Sequence, residues 1–151
     1  MGARARRAAP QGRSALSAMR YLLDTDTVSR LARGDSPRLT ERFGFGEVGS
    51  FAISVVTLGE LRFGQAAGVV AKTVAARTEI LLRSIPTLPL GESAVPHYAT
   101  VRSTLRRLGT PIGPNDTWIA AHALAEGLIL VTGNDREFAR VPGLKVENWL
   151  R

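Results

Sequence analysis

The sequence predicts an α/β fold, a three-layer sandwich in which a central, mostly parallel β-sheet is flanked by helices. Two observations indicate it. Short apolar runs, typical of buried strands, alternate along the chain with longer segments in which apolar residues recur at helical spacing. Glycines follow the ends of most of these longer segments, as expected where helices stop. Strands that alternate with helices in this way form parallel sheets covered by helices.

The folded part of the chain is predicted to open with a strand and a helix. The apolar run at 21–23 indicates a short buried strand, and Asp24 follows it directly. A helix is expected over residues 27–33, with Gly34 as its end; Asp24-Thr25-Asp26 offers its N-cap, of which Asp26 is the preferred residue. The first acid of the chain therefore lies at the end of a strand.

The middle of the chain predicts three further helices and two strands. Serine before proline favours a helix start, since serine caps the helix and proline fits its first turn. A proline inside a short apolar run places that strand near a sheet edge. The elements expected on these grounds are a helix opening at Ser36-Pro37, a strand at 51–53, a helix from Ser54 or Thr57 to Gly64 or Gly68, a helix over 70–84 and an edge strand over 85–88.

The last third of the chain predicts two helices and two strands. The first helix ends at Gly109 and has one apolar face, formed by Val95, Tyr98, Val101, Leu105 and Leu108. The elements that follow are a helix from residue 114 to a stop at Gly127, a strand over 128–132 and a short strand over 144–147. The run at 128–132 is the clearest strand of the chain.

Length and composition predict one domain with an N-terminal extension. The 151 residues suffice for a single domain, which we expect to span 19–151 with Met19 as its natural start. Residues 1–18 are rich in Ala, Arg, Gly and Ser and are expected to be disordered. They carry four arginines and no acid, so without them the net charge falls from +7 to +3. Charge therefore gives only weak support for a nucleic-acid partner.

Composition also excludes several kinds of site. The chain has no cysteine, and hence no disulfide, thiolate metal site or cysteine nucleophile, which suits a cytoplasmic protein. No apolar run approaches the ~20 residues of a membrane helix, and the chain has no Walker motif and no GxGxxG motif that follows a strand. His97 and His122 lie in helical patterns, and we interpret both as packing or surface residues. Trp118 and Trp149 are interpreted as core or interface residues.

Polar residues from four separate segments are predicted to meet at one edge of the sheet. Asp24 ends the first strand, Glu60 lies in the helix after the second, and Asp116 opens a later helix. Asn134 and Asp135 follow the clearest strand. Ligands of parallel sheets bind at the carboxyl ends of the strands. Singly, each acid could be a helix cap, a turn residue or solvated surface. Together, they would repel one another unless a cation lay between them.

This set fits a metal-dependent hydrolase. Hard oxygen ligands suit Mg²⁺, with Mn²⁺ as a substitute. A bound ion can lower the pKa of a coordinated water, orient a phosphodiester and offset charge in the transition state. We therefore take Asp24, Glu60, Asp116 and Asp135 as catalytic candidates, and Asp24, Glu60, Asp116 and Asn134 as candidate metal ligands.

The ordered motifs of the chain resemble those of PIN-domain ribonucleases of the VapC toxin family. The segments that carry the likeness are LLDTD at 22–26, SVVTLGELRFG at 54–64, PIGPNDTWIAAHA at 111–123, LVTGNDREF at 130–138 and VPGLKVENW at 141–149. Together they are far more specific than any single motif. The resemblance implies that Asp24, Glu60 and Asp116 bind metal. The third and fourth motifs are most similar to the branch that cuts initiator tRNA in its anticodon loop.

One position departs from the wider family. Many PIN domains carry an aspartate where this chain has Asn134. Either Asn134 or Asp135 could therefore be the fourth metal ligand beside the three acids, and the number of bound ions also stays open. The resemblance implies an Mg²⁺-dependent endoribonuclease, the toxin of a type II toxin–antitoxin system that acts on tRNA and inhibits translation. It also implies a VapB-type antitoxin as partner and a homodimer as the assembly.

Two alternatives remain open at this point. A catalytically inactive RNA-binding PIN-like module would share the fold, and a test for metal-dependent cleavage would distinguish it. A phosphoacceptor receiver-like domain also places acids at strand ends, but it needs a lysine after a late strand. The only lysines are Lys72 and Lys145, and neither directly follows Thr132.

Overall fold

A computed structural model describes residues 18–47 and 49–151. The disorder expected for residues 1–18 therefore falls, except for Ala18, outside the described residues. Met19, the expected start of the domain, is partly buried and packs against the core. Within the described ranges no helix combines the length and the apolar character needed to cross a bilayer.

Strands and helices alternate along the described chain as predicted. The helices are α1 (Thr25–Arg33), α2 (Pro37–Gly44), α3 (Val55–Ala66), α4 (Lys72–Ser84), α5 (Ala94–Arg107), α6 (Pro114–Glu126) and α7 (Asp135–Phe138). The strands are β1 (Tyr21–Leu23), β2 (Phe51–Ser54), β3 (Thr87–Leu88), β4 (Ile129–Val131) and β5 (Val146–Glu147). Every expected element is present, with ends shifted by a few residues.

All paired strands run parallel, in the order β3-β2-β1-β4-β5. The central strand is β1, in which Leu22 lies between Ala52 of β2 and Leu130 of β4. The expected edge position of the proline-containing run is confirmed, because β3 is the outermost strand on one side. The sheet is parallel throughout rather than mostly parallel.

The core is divided between the two faces of the sheet. Leu22 packs with Val101 of α5 and Ile119 of α6, whereas the next residue, Leu23, packs with Val28 of α1. Successive strand residues point to opposite faces, so one short strand supplies both layers. The three-layer sandwich is confirmed, and the acids that follow its strands lie at one edge of the sheet.

Two local expectations are wrong. Asp24, not Asp26, caps α1, because the chain turns helical directly after β1 and the helix starts earlier than predicted. The apolar face of α5 is narrower than expected: Val101 and Leu105 are buried, but Val95 is 49% and Leu108 65% exposed. Val95 lies in the first turn of α5, on a different side from the buried Ala94, and Leu108 is the C-cap that follows the last helical residue.

Candidate active site

Three neighbouring strands deliver polar residues to one edge of the sheet. Asp24 follows β1 directly, β2 ends at Ser54 and leads into α3, and β4 is followed by Thr132. Because β2, β1 and β4 are adjacent and parallel, their carboxyl ends lie side by side. The backbone N–H of Asp24 donates to the carbonyl of Val131 at 3.0 Å, which ties the ends of β1 and β4 together.

Asp24 is a buried carboxylate that caps a helix and has a raised pKa. It is 5% exposed, and its Oδ1 accepts the backbone N–H of Thr27 at 2.8 Å as the N-cap of α1. Burial raises the pKa of Asp24, although hydrogen bonds from Thr132 and Thr27 act in the opposite direction. A buried carboxyl group whose charged form is disfavoured is one that a bound cation would stabilise.

Glu60 is held in place from a neighbouring helix. Thr25, the first residue of α1, donates its hydroxyl hydrogen to Glu60 Oε1 at 2.6 Å, and its Oγ1 lies 3.3 Å from that of buried Thr57. The glutamate is half-buried. Glu60 therefore does not extend freely into solvent from α3, but is directed toward the start of α1, next to Asp24.

Asp116 lies in the first turn of α6 and is half-buried. It is not the helix cap, because the N-cap of α6 is Gly113 and no side-chain capping bond is present there. Burial raises the pKa of Asp116 to about 6, and the negative charges of Glu60, Asp24 and Glu137 add to this effect. Asp24, Glu60 and Asp116 are thus close enough to repel one another.

The two candidates for the fourth position face different partners. Asn134 lines the cleft beside the three acids and donates from Nδ2 to Glu137 Oε2 at 2.6 Å. Asp135 instead accepts from Arg151 at 2.7 Å and from Asn148 at 3.2 Å. Those two partners lower the pKa of Asp135. The structure brings Asn134 to the acid cluster and ties Asp135 to the C-terminal segment.

Two further acids near this edge were not among the candidates from the sequence. Glu137 is one helical turn from Asn134 and close enough to raise the pKa of Asp116. Asp26 lines the same cleft and pairs with Arg30 at 2.9 Å. A Cβ at Gly133 would lie 3.1 Å from Asp26 Oδ2, so the loop after β4 approaches α1 closely. The i, i+3 spacing from Asn134 could have indicated Glu137 from the sequence.

These side chains surround one open cleft of about 360 Å³. Its lining comes from α1, α3, α6 and the segment after β4, and includes Asp24, Thr25, Asp26, Ser29, Arg33, Glu60, Asp116, Asn134 and Phe138. Asp135 does not contribute to it. The cleft is strongly acidic, with Arg33 as the cationic side chain in its lining.

The helices that carry Glu60 and Asp116 are joined by a buried polar pair. The Nδ1 atom of fully buried His122, on α6, lies 2.8 Å from Ser54 Oγ, which also accepts the backbone N–H of Val56 as the N-cap of α3. The Ser54 hydroxyl and the His122 ring therefore share a buried hydrogen bond. Burial lowers the pKa of His122, which keeps the ring uncharged.

The remaining histidine and the two tryptophans lie outside the acidic cleft. His122 is a packing residue and His97 a surface residue, as expected. Trp149 is buried in the core, where it packs against Tyr21 and Phe51. Trp118 is half-buried and stacks on Tyr98.

The chemistry of the cleft fits a hard divalent cation. Its acidic donors are all oxygen atoms, and the raised pKa values of Asp24 and Asp116 show that their charges need compensation. Within residues 18–47 and 49–151, no group of three His, Cys, Asp or Glu side chains is placed to hold an ion as it stands.

The sequence matches the family described as PIN domain over residues 21–144. Two relatives are named tRNA(fMet)-specific endonuclease VapC. The protein from Salmonella typhimurium is 34% identical over 131 residues, and the protein from Shigella flexneri is 37% identical over the same length. Each alignment covers 87% of this chain and 98% of the relative. A third relative, Ribonuclease VapC2 from Haemophilus influenzae, is 34% identical over 87% of this chain and 99% of its own.

Solved structures agree with this family assignment. The DNA-bound VapBC structure from Salmonella typhimurium superposes with a TM-score of 0.79 at 34% identity, and covers 87% of this chain and 98% of its own. VapBC2 from Rickettsia felis, bound to a DNA fragment from its promoter, gives a TM-score of 0.77 at 29% identity, with 87% and 99% coverage. The fold and the motifs therefore point to the same family.

Proposed function

The chain belongs to the PIN domain family and to its VapC branch, and from that premise we propose that it is an endoribonuclease toxin of a type II toxin–antitoxin system. In this role it hydrolyses RNA phosphodiesters and inhibits translation in the cytoplasm. The observation that carries the proposal is the acidic cleft in which Asp24, Glu60 and Asp116 meet from three separate elements.

The substrate we propose is tRNA, with initiator tRNA as the specific member. Two relatives that align over 87% of this chain are named as tRNA(fMet)-specific endonucleases. The PIGPNDTWIAAHA and LVTGNDREF segments, which include Asp116 and Asn134, lie within the aligned family region. Both segments border the cleft, so the similarity includes the surface that would contact RNA.

The residues proposed to hold the metal are Asp24, Glu60 and Asp116, with Asn134 as the fourth ligand. We propose Mg²⁺ as the ion and Mn²⁺ as a substitute, because the donors are hard oxygen atoms. When bound, such an ion supplies Lewis-acid polarisation of the scissile phosphate and compensates the negative charge that develops in the transition state.

The protein's own contribution is to limit where these oxygen atoms can lie. Asp24 is fixed by its capping bond to Thr27, and Glu60 by the hydroxyl of Thr25. Asp116 is restrained because it lies in the first turn of a helix that His122 joins to α3. Side chains restrained in this way have less conformational freedom to lose when an ion binds.

A VapB-type antitoxin is the proposed partner, and a homodimer the proposed assembly. Several similar structures are VapBC complexes, in which the relative is crystallised with its partner. Beside the acidic cleft lies a groove of about 350 Å³ between α1, α3 and α4. Thr25, Arg33 and Glu60 line both, and Leu61 and Val74 make this second groove more apolar. A segment of an antitoxin bound there would cover the entrance to the acidic cleft.

Cleavage products of the purified chain test the proposed function. Incubation with total tRNA and Mg²⁺ should produce discrete fragments, and mapping of their ends should place the cut in the anticodon loop of initiator tRNA. A matched reaction with Glu60→Gln controls for contaminating nucleases. Binding of tRNA without any fragments would favour the inactive RNA-binding module instead.

The fourth position is tested by a direct comparison of two alanine variants. Asn134→Ala should lower the cleavage rate more than Asp135→Ala, because Asn134 lines the cleft whereas Asp135 pairs with Arg151. We expect a loss of about 10-fold or more for the first, typical of a metal ligand or its immediate neighbour, and less than about 3-fold for the second. Initial rates at saturating Mg²⁺ measure the difference. The reverse order of effects would assign the fourth position to Asp135.

A further inference from the structure

A basic segment leads directly into the acidic site. From Ser93 to Asn115 the chain contains no Asp or Glu, and its charged residues are Arg102, Arg106 and Arg107. This segment forms α5 and the loop that enters α6, in whose first turn Asp116 lies. All three arginines are exposed, and within the described residues none of them forms an ion pair.

Two of these arginines line a groove next to α6. The groove has a volume of about 350 Å³, and its lining includes Tyr98, Arg102, Arg106, Pro111, Pro114 and Thr117. Pro114 and Thr117 flank Asp116 in the first turn of α6, so the groove reaches the turn that carries this acid. We call this surface the α5–α6 groove.

An aromatic pair orients Arg102 within the groove. The rings of Tyr98 and Trp118 stack with centroids 3.7 Å apart and planes 13° from parallel. The Tyr98 hydroxyl accepts a hydrogen bond from Arg102 Nη1 at 2.9 Å, and the guanidinium carbon lies 5.9 Å from the Tyr98 ring centre. A guanidinium group held in this way loses less conformational entropy when it binds an anion.

Arg102 and Arg106 are one helical turn apart. Side chains at i and i+4 lie on the same face of a helix, with Cβ atoms about 5–6 Å apart. Two cations with this spacing can contact successive phosphates of one strand. An unpaired cationic groove beside an acidic centre has the charge of a surface that binds a polyanion, whereas a second copy of the chain would bring the same positive charges against it.

We propose that the α5–α6 groove is the track along which the RNA strand approaches the cleft, with Arg102 and Arg106 on consecutive phosphates. The proposal rests on the proposed function, since it takes RNA as the substrate. Contacts of this kind position the strand and carry no sequence information. The groove then supplies affinity, while the cleft at Asp116 supplies the chemistry.

The salt dependence of RNA binding tests the groove. The double variant Arg102→Gln, Arg106→Gln is compared with Arg38→Gln, Arg83→Gln, which removes two exposed arginines from α2 and α4. Binding of a fluorescein-labelled single-stranded RNA is followed by anisotropy in EDTA over a series of NaCl concentrations. The groove variant should bind severalfold more weakly at low salt, with a slope of log affinity against log salt reduced by about 1.4, or about 0.7 per phosphate contact. The control pair should retain the wild-type slope.

A conservative variant and two further measurements complete the test. Tyr98→Phe keeps the ring stack but removes the acceptor that orients Arg102, so it should weaken binding less than the double variant. An unchanged slope in the double variant would overturn the proposal. An unchanged slope together with a lower molecular mass by light scattering would also overturn it, and would identify the surface as an interface between copies. Failure of the proposed function is separate, because the wild type would then bind this RNA but release no fragments from tRNA when Mg²⁺ is added.

Discussion

Removal of divalent metal is expected to abolish RNA cleavage completely. The proposed site depends on an ion bound by Asp24, Glu60 and Asp116, and the described cleft offers no cysteine or histidine that could replace it as a catalyst. Activity should disappear in EDTA and return when Mg²⁺ or Mn²⁺ is added in excess. Titration of the ion against the initial cleavage rate measures its apparent affinity.

Metal binding should also stabilise the folded chain. An ion that binds only the native state stabilises it by mass action, by about 2.7 kcal/mol at 100 times its Kd. The wild type should therefore melt at a higher temperature in Mg²⁺ than in EDTA. NaCl at the same ionic strength should leave the melting temperature nearly unchanged. Full cleavage in the presence of chelator would contradict the metal-dependent mechanism.

Asp116→Asn is expected to reduce cleavage to the background level while the fold persists. Asparagine has nearly the shape of aspartate but no charge, so the substitution removes the carboxylate proposed to bind metal without leaving a cavity. Loss of one such ligand should lower the rate by at least about 100-fold, near the upper end of the effects of changes around a metal. Initial rates with labelled tRNA, beside a circular-dichroism melt of the same sample, separate lost catalysis from lost folding.

The stability of this variant should depend on pH in a defined direction. The pKa of Asp116 is raised to about 6 in the folded chain, above its ordinary value of 3.8. Between these values the folded state binds more protons than the unfolded state, so metal-free stability falls as the pH rises from about 4 to 6. The asparagine variant lacks this loss. After allowance for solvent screening of a half-exposed group, it should be more stable than the wild type by up to about 1 kcal/mol at pH 7 and not at pH 4.

A favourable helix-dipole term opposes part of this gain. A negative charge in the first turn of α6 is worth about 0.3–1 kcal/mol, and asparagine loses it. We therefore expect the variant to be at least as stable as the wild type in EDTA, and to show a smaller rise in melting temperature with Mg²⁺. Retained cleavage, or a Mg²⁺ response equal to that of the wild type, would remove Asp116 from the metal site.

Much of the fold was predictable because the helix stops and apolar runs in the sequence coincide with the helix ends and buried strands of the structure. Gly34 and Gly127 end helices in the left-handed conformation, as their positions indicated. The strand predicted at 21–23 is observed at the same residues. A strand that is buried on both faces is a continuous apolar run, and its ends can be read where polar residues begin. Asp24, Glu60 and Asp116 could be selected because the first follows a strand, the second lies in the helix after the next strand and the third opens a helix.

The direction of individual side chains was not predictable from the sequence. Asp135 and Asn134 are adjacent, and a sequence pattern cannot tell which of the two faces the cleft. Their orientation depends on Arg151 and Asn148, which are brought to Asp135 only when β5 pairs with β4. The same reason explains why Asp24 rather than Asp26 caps α1: the cap follows from where the backbone leaves the sheet.

The fold class, the order of the elements apart from the short α7, and the place of three acids at the ends of strands or in the helices that follow could be predicted from the sequence alone, because periodicity, caps and glycine stops are local properties of the chain. Tertiary structure alone decided that Glu60 is held by Thr25, that Glu137 is near Asp116 and that Arg102 rests on Tyr98. Each of these relations joins residues whose positions depend on how helices pack against the sheet. Packing distances and burial set the pKa of Asp116, and no single segment of the chain contains that information.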